Sequence, residues 1–565
     1  MNTRLGDLSI HYIYAGILVI LFKEFFKSLG FLIVSDKLLE NNRFRGTNLY
    51  SSIGLLAFVA VIKFINYFFP LKFYSLIILT IFIVLIYFKS SKKLKYYLSF
   101  KKLSYLFFQL VAVTSFLLFI KPYSFDSYYY VYQIILWKVE FPLSIGLGNF
   151  FPWLVTSSYI FDLSALVSSF IGIETASSLV NLVLLLLVFD ILYAELASTR
   201  NATLHDLTLV KLYSFISIIL IFAYGFSNLQ YLVLSPNPDY PNFLFLVLVG
   251  YFLTRFRITK SRIELFGAVM AASLSFSLRS HSLIIFSIIF LYFLYNCYSA
   301  RVKHVKFIAG LILLVSPIIF WIIDNYLKSG YPLFPSKLIQ IQTNWTIGTD
   351  SLDDYIFGLK NWTYQQTCSD EQLMSFGFSG ITCVFLQTLS FKIVLMALII
   401  ILVLFSQRIA SKKDFRIEIS FILILSLFAV PVFILLIYAP QLRFVYSYIF
   451  VILILAYSEI LNDLLKTKLT ILKTRKVLVI LGSLILIIAI YPVYNELKAK
   501  SSNKIETDRH QITSFRRQFL GDGSVFYYYV GRQCGFNYFP CTGIADTKIR
   551  VFKNKVNNYR FEQSF

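Results

Sequence analysis

Five side chains in this sequence combine the types and positions that acid–base and phosphate chemistry need. Asp126 and Asp239 are carboxylates set just beyond long apolar runs, and Arg279, His281 and Arg443 lie in very short breaks between such runs. A carboxylate in aromatic surroundings can take a proton from a hydroxyl. A guanidinium grips a phosphate through two parallel hydrogen bonds. Asp126 opens "DSYYYVYQIILWKVEF", an amphipathic, aromatic stretch that suits an interfacial helix. It reads either as the N-cap of that helix or as a general base at a membrane surface. Asp239 lies in "SPNPDYP" (235–241), where three prolines stiffen the turn and fix the carboxylate in place. There it would position a substrate, or bind a divalent metal with few protein ligands. "SFSLRSHSLIIF" (275–286) carries Arg279 and His281, and "YAPQLRFVY" (438–446) carries Arg443. An arginine so placed either snorkels towards headgroups or forms an anion site.

The elements that must hold these groups are membrane spans. The 565-residue chain is 58% hydrophobic and only 14% charged, against about 25% charged in soluble domains. Apolar runs long enough for a hydrocarbon core of about 30 Å recur along most of it. Spans are expected near 9–22, 51–69, 71–88, 103–120, 177–196, 210–225, 242–254, 264–278, 282–299, 306–323, 391–407, 418–438, 444–461 and 477–493. Lys23, Glu24 and Lys27 interrupt the first, so 22–40 is expected as an interfacial helix. The reading is therefore an all-α polytopic membrane protein with about 13–14 transmembrane helices. The opening residues show no leader cleavage site.

The net charge of +23 is placed by the loops, not by a nucleic-acid surface. The 89–102 segment has six lysines and no acid, and "TRFRITKSR", "ARVKHVK", "SQRIASKKDFR" and "KTKLTILKTRK" are also basic. Counting spans puts all five on one side, which the positive-inside rule makes cytoplasmic. Everything else faces outward: 121–176, the Asp239 turn, the Arg279 and Arg443 breaks, a long loop 324–390, and a tail after Val493. Cys368 and Cys383 in that loop, and Cys534 and Cys541 in the tail, are disulfide candidates on an oxidising side. Ionisable residues deep in the spans are few, which argues against a transport path.

The order of parts resembles the GT-C fold of membrane glycosyltransferases, which use polyprenyl-phosphate sugars: a span, an outer loop with an early acid, two interfacial helices, another span. The chain also resembles a poorly characterised family of large bacterial membrane proteins of GT-C-like layout. That pattern, Asp–x–x–x–Tyr–His, then Trp, then Gly-Leu-x-Asn, falls on Asp126, Tyr130, Trp137, and Gly146, Leu147 and Asn149; "SGYPLFPS" (329–336) and "CGFNYFPCT" (534–542) fit it too. Val131 stands where the pattern has histidine. The resemblance implies accessory spans in 1–102, a GT-C-like module in 103–493, and a small extracytoplasmic α/β domain in 494–565. It implies a bacterial inner-membrane enzyme moving sugar from a polyprenyl-phosphate donor to a glycan or lipid acceptor. Asp126 would be the base, Arg279 and Arg443 would stabilise the leaving phosphate, and His281 would orient it. Tyr130, Trp137 and Asn149 would line the substrate. A polysaccharide polymerase or ligase, a lipid-linked glycan flippase and a non-catalytic scaffold are the rival readings.

Overall fold

In the computed structural model, the described residues are 2–33, 49–72, 100–119, 130–197, 206–225, 235–299, 305–365, 415–438 and 442–466, with five strands in the tail. Apolar runs become helices because a helix satisfies every backbone group internally, as a membrane demands. These are α1 (Asn2–Ile33), α2 (Leu49–Asn66), α3 (Phe100–Phe119), α4 (Tyr132–Glu140), the short α5 (Leu147–Phe150), α6 (Tyr159–Ile171), α7 (Ile173–Ala197), α8 (Asp206–Gly225), α9 (Asp239–Thr259), α10 (Arg262–Leu278), α11 (Leu283–Ser299), α12 (Val305–Ser329), α13 (Thr349–Gln365), α14 (Phe415–Tyr438) and α15 (Leu442–Lys466). Six described segments are long and apolar enough to cross a membrane: Leu49–Asn66, Thr175–Leu196, Asp239–Thr259, Ser280–Tyr298, Gly310–Ser329 and Phe444–Asn462. The chain is a helical membrane protein. The spans expected at 71–88, 391–407 and 477–493 lie outside the described residues.

One expectation changes. Lys23, Glu24 and Lys27 do not end the first helix; α1 runs through them as a single helix of 32 residues, although it is not among the six segments apolar enough to span. Lys23 is buried and paired with Asp190 of α7 at 2.8 Å, and donates to Gln109 of α3. A partner 167 positions away removes the penalty that the local sequence suggests. At the other end of α1, Gly30 and Gly54 let the backbones of α1 and α2 touch. A Cβ at Gly54 would sit 1.8 Å from the Phe26 carbonyl oxygen.

Position in the bundle follows composition. Every residue of α9 from Asp239 to Thr254 is buried, which makes it the central helix. Helices α11, α12 and α14 carry exposed Leu291, Ile312 and Phe433, the surface that lipid contacts. The bundle has two ends. The basic end carries the link 254–262 and the C-termini of α7, α9 and α15. The far end carries the C-termini of α2, α10 and α12, the N-termini of α9 and α15, and the layer α4–α6.

Backbone bonds pin that layer. Leu143 N–H donates to Asn66 at the end of α2 (2.9 Å), and Gly146 N–H donates to Leu327 near the end of α12 (2.8 Å). The segment after α12 folds back in the same way, with Ile347 N–H on the Ser329 carbonyl (2.9 Å). The described residues of the tail form β1 (Phe515–Phe519), β2 (Val525–Tyr529), β3 (Cys541–Thr542), β4 (Ile549–Lys553) and β5 (Tyr559–Gln563). Strand β2 pairs antiparallel with β1 and parallel with β3, while β4 and β5 form a separate antiparallel pair. No helix is among the described tail residues, so the helical half of the expected α/β domain has no described counterpart. Strand β5 lies against α5, at the far end.

Candidate functional site

Two polar assemblies occupy the far end. The first is built on α9, α10 and α15. Helices α9 and α10 form a hairpin through the basic link, so the start of one and the end of the other must meet. Asp239 is buried at the start of α9, with its carboxylate 2.6 Å from Arg279 Nε, just past α10. The angle is that of an ion pair, not of an aligned hydrogen bond. Arg279 Nη2 donates to Asn237 Oδ1 at 2.8 Å, and its guanidinium lies 5.0 Å over the Phe444 ring. Asn237 Oδ1 also accepts from Asp239 N–H at 3.1 Å, closing the turn. The proline-rich turn therefore aims a guanidinium, and the carboxylate orients it.

Beside it runs a hydroxyl chain. Ser275 and Ser282 donate to Asn242 Oδ1 at 2.6 and 3.0 Å, Ser282 meets Tyr448 Oη at 3.0 Å, and Tyr448 Oη meets His281 Nδ1 at 2.7 Å. With the Ser282 proton on Asn242, Tyr448 donates to Ser282 and His281 Nδ1–H donates to Tyr448. The Nε2 atom of His281 is then the lone-pair nitrogen, buried and without a hydrogen-bond partner among the described residues. Arg443 lies on the first turn of α15, one residue before the Phe444 that Arg279 covers.

The second assembly is a buried charge cluster that sequence inspection missed. Lys63 of α2 bonds Asp324 of α12, and reaches Asp162 of α6 at 3.6 Å. Lys138 of α4 donates to Asp162 Oδ1 at 2.6 Å, and Lys328 reaches Asp324 at 3.8 Å. Ser157 Oγ donates to Asp324 at 2.7 Å. Burial pulls the Lys138 ammonium below the ordinary lysine range, although Asp162 opposes it. The signal was available: a lysine three residues from the end of α2, and "DNYLKS" ending α12, are costly unless paired. What the sequence lacks is the partner.

A row of aromatic rings packs beside Thr156. Tyr130 packs on Trp153 (5.5 Å), and Trp153 meets Tyr355 edge-on (4.7 Å). Burial raises the Tyr355 phenol to about 12, while its hydrogen bond with Thr156 and the charge of Arg279 act in the other direction. Thr156, bonded to Tyr355, thus sits next in the chain to Ser157, which is bonded to Asp324.

The other expected site residues divide clearly. Arg279, His281 and Asp239 come together. Trp137 is buried against Phe141 and Phe150, and Asn149 donates to the Trp345 carbonyl at 2.8 Å, so both hold the far-end layer together. Val131, at the histidine position of the pattern, is 1% exposed and part of the core. Asp126, Cys368, Cys383 and Cys534 lie outside the described residues, as do the side chains of Arg443 and of Cys541, which opens β3. Among the described residues no three His, Cys, Asp or Glu gather to hold a metal, and Asp239 faces a guanidinium instead.

A family model described as Domain of unknown function (DUF8201) matches residues 13–450, which takes in both assemblies and stops before the tail. No curated protein and no solved structure matches the chain.

Proposed function

We propose that this chain, which belongs to the DUF8201 family over residues 13–450, is an integral membrane glycosyltransferase of GT-C type. Its donor is a polyprenyl-phosphate sugar, its acceptor a cell-envelope glycan or lipid, and its far end faces the extracytoplasmic side of a bacterial inner membrane. One observation supports this above the rest. Arg279 is oriented by Asp239 and Asn237 at the end of a span, and the two use only part of its five-donor fork. The remaining N–H groups suit a phosphate at headgroup depth.

In this reading Asp126 accepts the proton of an acceptor hydroxyl. The hydroxyl oxygen bonds the anomeric carbon, the bond from that carbon to the phosphate oxygen breaks, and the lipid phosphate departs with the electron pair. Arg279 and Arg443 offset its developing charge. Asp239 is a positioning residue, since its carboxylate is engaged by Arg279. His281 Nε2 lies two residues from Arg279 and is a second proton-handling atom.

The test is turnover of a panel of polyprenyl-phosphate sugars in nanodiscs, read as release of the lipid phosphate. Asp126→Asn should abolish release and Arg279→Gln should slow it at least about 100-fold, as losing a charge-stabilising donor does. Release that survives Asp126→Asn sinks the transferase reading. A flippase is the second reading, favoured by the buried charges of Lys23, Asp190 and the lysine cluster. It predicts transbilayer movement of a fluorescent lipid-linked glycan in proteoliposomes with no sugar transfer.

A further inference from the structure

The buried cluster has a charge count that does not close. Lys63, Lys138 and Lys328 face Asp162 and Asp324, with every side chain between 0 and 5% exposed. With every lysine protonated, three ammoniums against two carboxylates leave one positive charge over. The neighbouring phenols do not supply the missing negative charge. Burial first, and the aspartates second, raise Tyr67 and Tyr159 far out of the range in which they would ionise. An unmatched charge at this depth is strongly disfavoured.

Donors outnumber acceptors as well: Asp162 Oδ2 and Asp324 Oδ1 are buried without a hydrogen bond among the described residues, but the spare N–H groups are more numerous. Each ammonium carries three N–H groups. Lys138 places one on Asp162, and Lys63 is shared between Asp324 and, at 3.4 Å, Ser157. The contacts Lys63–Asp162 (3.6 Å) and Lys328–Asp324 (3.8 Å) are too long for hydrogen bonds. Ser158 Oγ and Tyr159 Oη are buried with no partner among the described residues. Excess positive charge, spare N–H groups and orphaned hydroxyls in one place are what an anion binds.

We infer that the Lys63–Lys138–Lys328 cluster is a second anion site, distinct from Arg279, which takes a phosphate or carboxylate group. Its edge is Thr156 and Ser157, both half-buried, with Ser157 already bonded to Asp324. An anion arriving past Ser157 meets Lys63 first. It stands whether or not the chain transfers sugar.

Full-length protein in neutral detergent is melted with rising inorganic phosphate or acetate, against chloride at matched ionic strength. A parallel series exchanges phosphatidylcholine for phosphatidic acid. Phosphate, acetate or phosphatidic acid should raise the melting temperature by about 2 °C or more over its control. The responding series tells a free anion from a lipid headgroup. Lys328→Met restores two charges of each sign, so it should melt no lower than wild type and lose the response. Lys138→Met should lose it as well, which covers the case in which one variant fails to fold. Arg279→Gln should keep it. A wild type that responds only as it does to chloride overturns the proposal; the cluster has then balanced itself by shedding a lysine proton. A response unchanged in both lysine variants, or lost in Arg279→Gln, overturns it too.

Discussion

The two ends of the bundle bury charge in opposite ways. At the basic end, Arg255 of α9 is gripped by Glu195 of α7 and Glu264 of α10, and Arg257 by Glu459 of α15. Two arginines meet three glutamates, so buried carboxylate is in excess where exposed Lys260 and Arg262 surround it. At the far end, Lys63, Lys138, Lys328 and Arg279 meet Asp162, Asp324 and Asp239, four cations against three carboxylates. The basic end is more tightly paired: Arg255 also contacts the Tyr251 hydroxyl at 3.2 Å and each carboxylate has one close cationic partner, with Glu264 Oε2 left without a hydrogen bond among the described residues. The far end retains long contacts and orphaned hydroxyls. One end staples helices together, while the other has binding capacity to spare.

The sharpest way to break this contrast is to delete the scarce sign at each end. Asp324→Ala leaves three lysines around one carboxylate, and should lower stability by about 3–5 kcal/mol in detergent denaturation. Arg255→Gln strands two glutamates and should cost about 2–4 kcal/mol, discounted because that side chain is 17% exposed. The plentiful sign should matter far less. Glu264→Gln should cost about 1 kcal/mol, since Glu195 still holds Arg255. If Asp324→Ala and Lys328→Met lower the melting temperature equally, the charge count is not what organises the far end.

A smaller effect sharpens the geometry. Gly330 has φ +80°, and a Cβ there would meet the Thr346 side chain at 2.4 Å. Gly330→Ala should therefore cost about 1–3 kcal/mol through backbone strain. It should also loosen the loop whose Ile347 is tied to Ser329. Hydrogen exchange in 330–348 should rise while the basic end is unchanged.

What was legible follows from range in sequence. Run length gave the helices, and eleven of the fourteen expected spans coincide with a described helix. The short α9–α10 link made it legible that Asp239 and Arg279 lie at one end, but not that they pair with each other. The lysine cluster was not legible. Its partners sit on four helices separated by up to 261 positions, and a single sequence records each charge without its complement. The same blindness split α1 at Lys23, whose aspartate lies on α7. Trp137 and Asn149 were flagged as substrate contacts from a motif, yet they pack the layer that carries the site. Their pattern of residue types cannot tell support from contact.

The central claim is that Arg279, held by Asp239, carries a lipid phosphate. Native mass spectrometry of the detergent-purified protein, titrated with polyprenyl phosphate, tests it most directly. Wild type should retain the lipid, and Arg279→Gln, which strands the buried Asp239 carboxylate and so melts lower, should at temperatures where it is still folded bind it at least about 10-fold more weakly. Equal retention by the two proteins would contradict the claim.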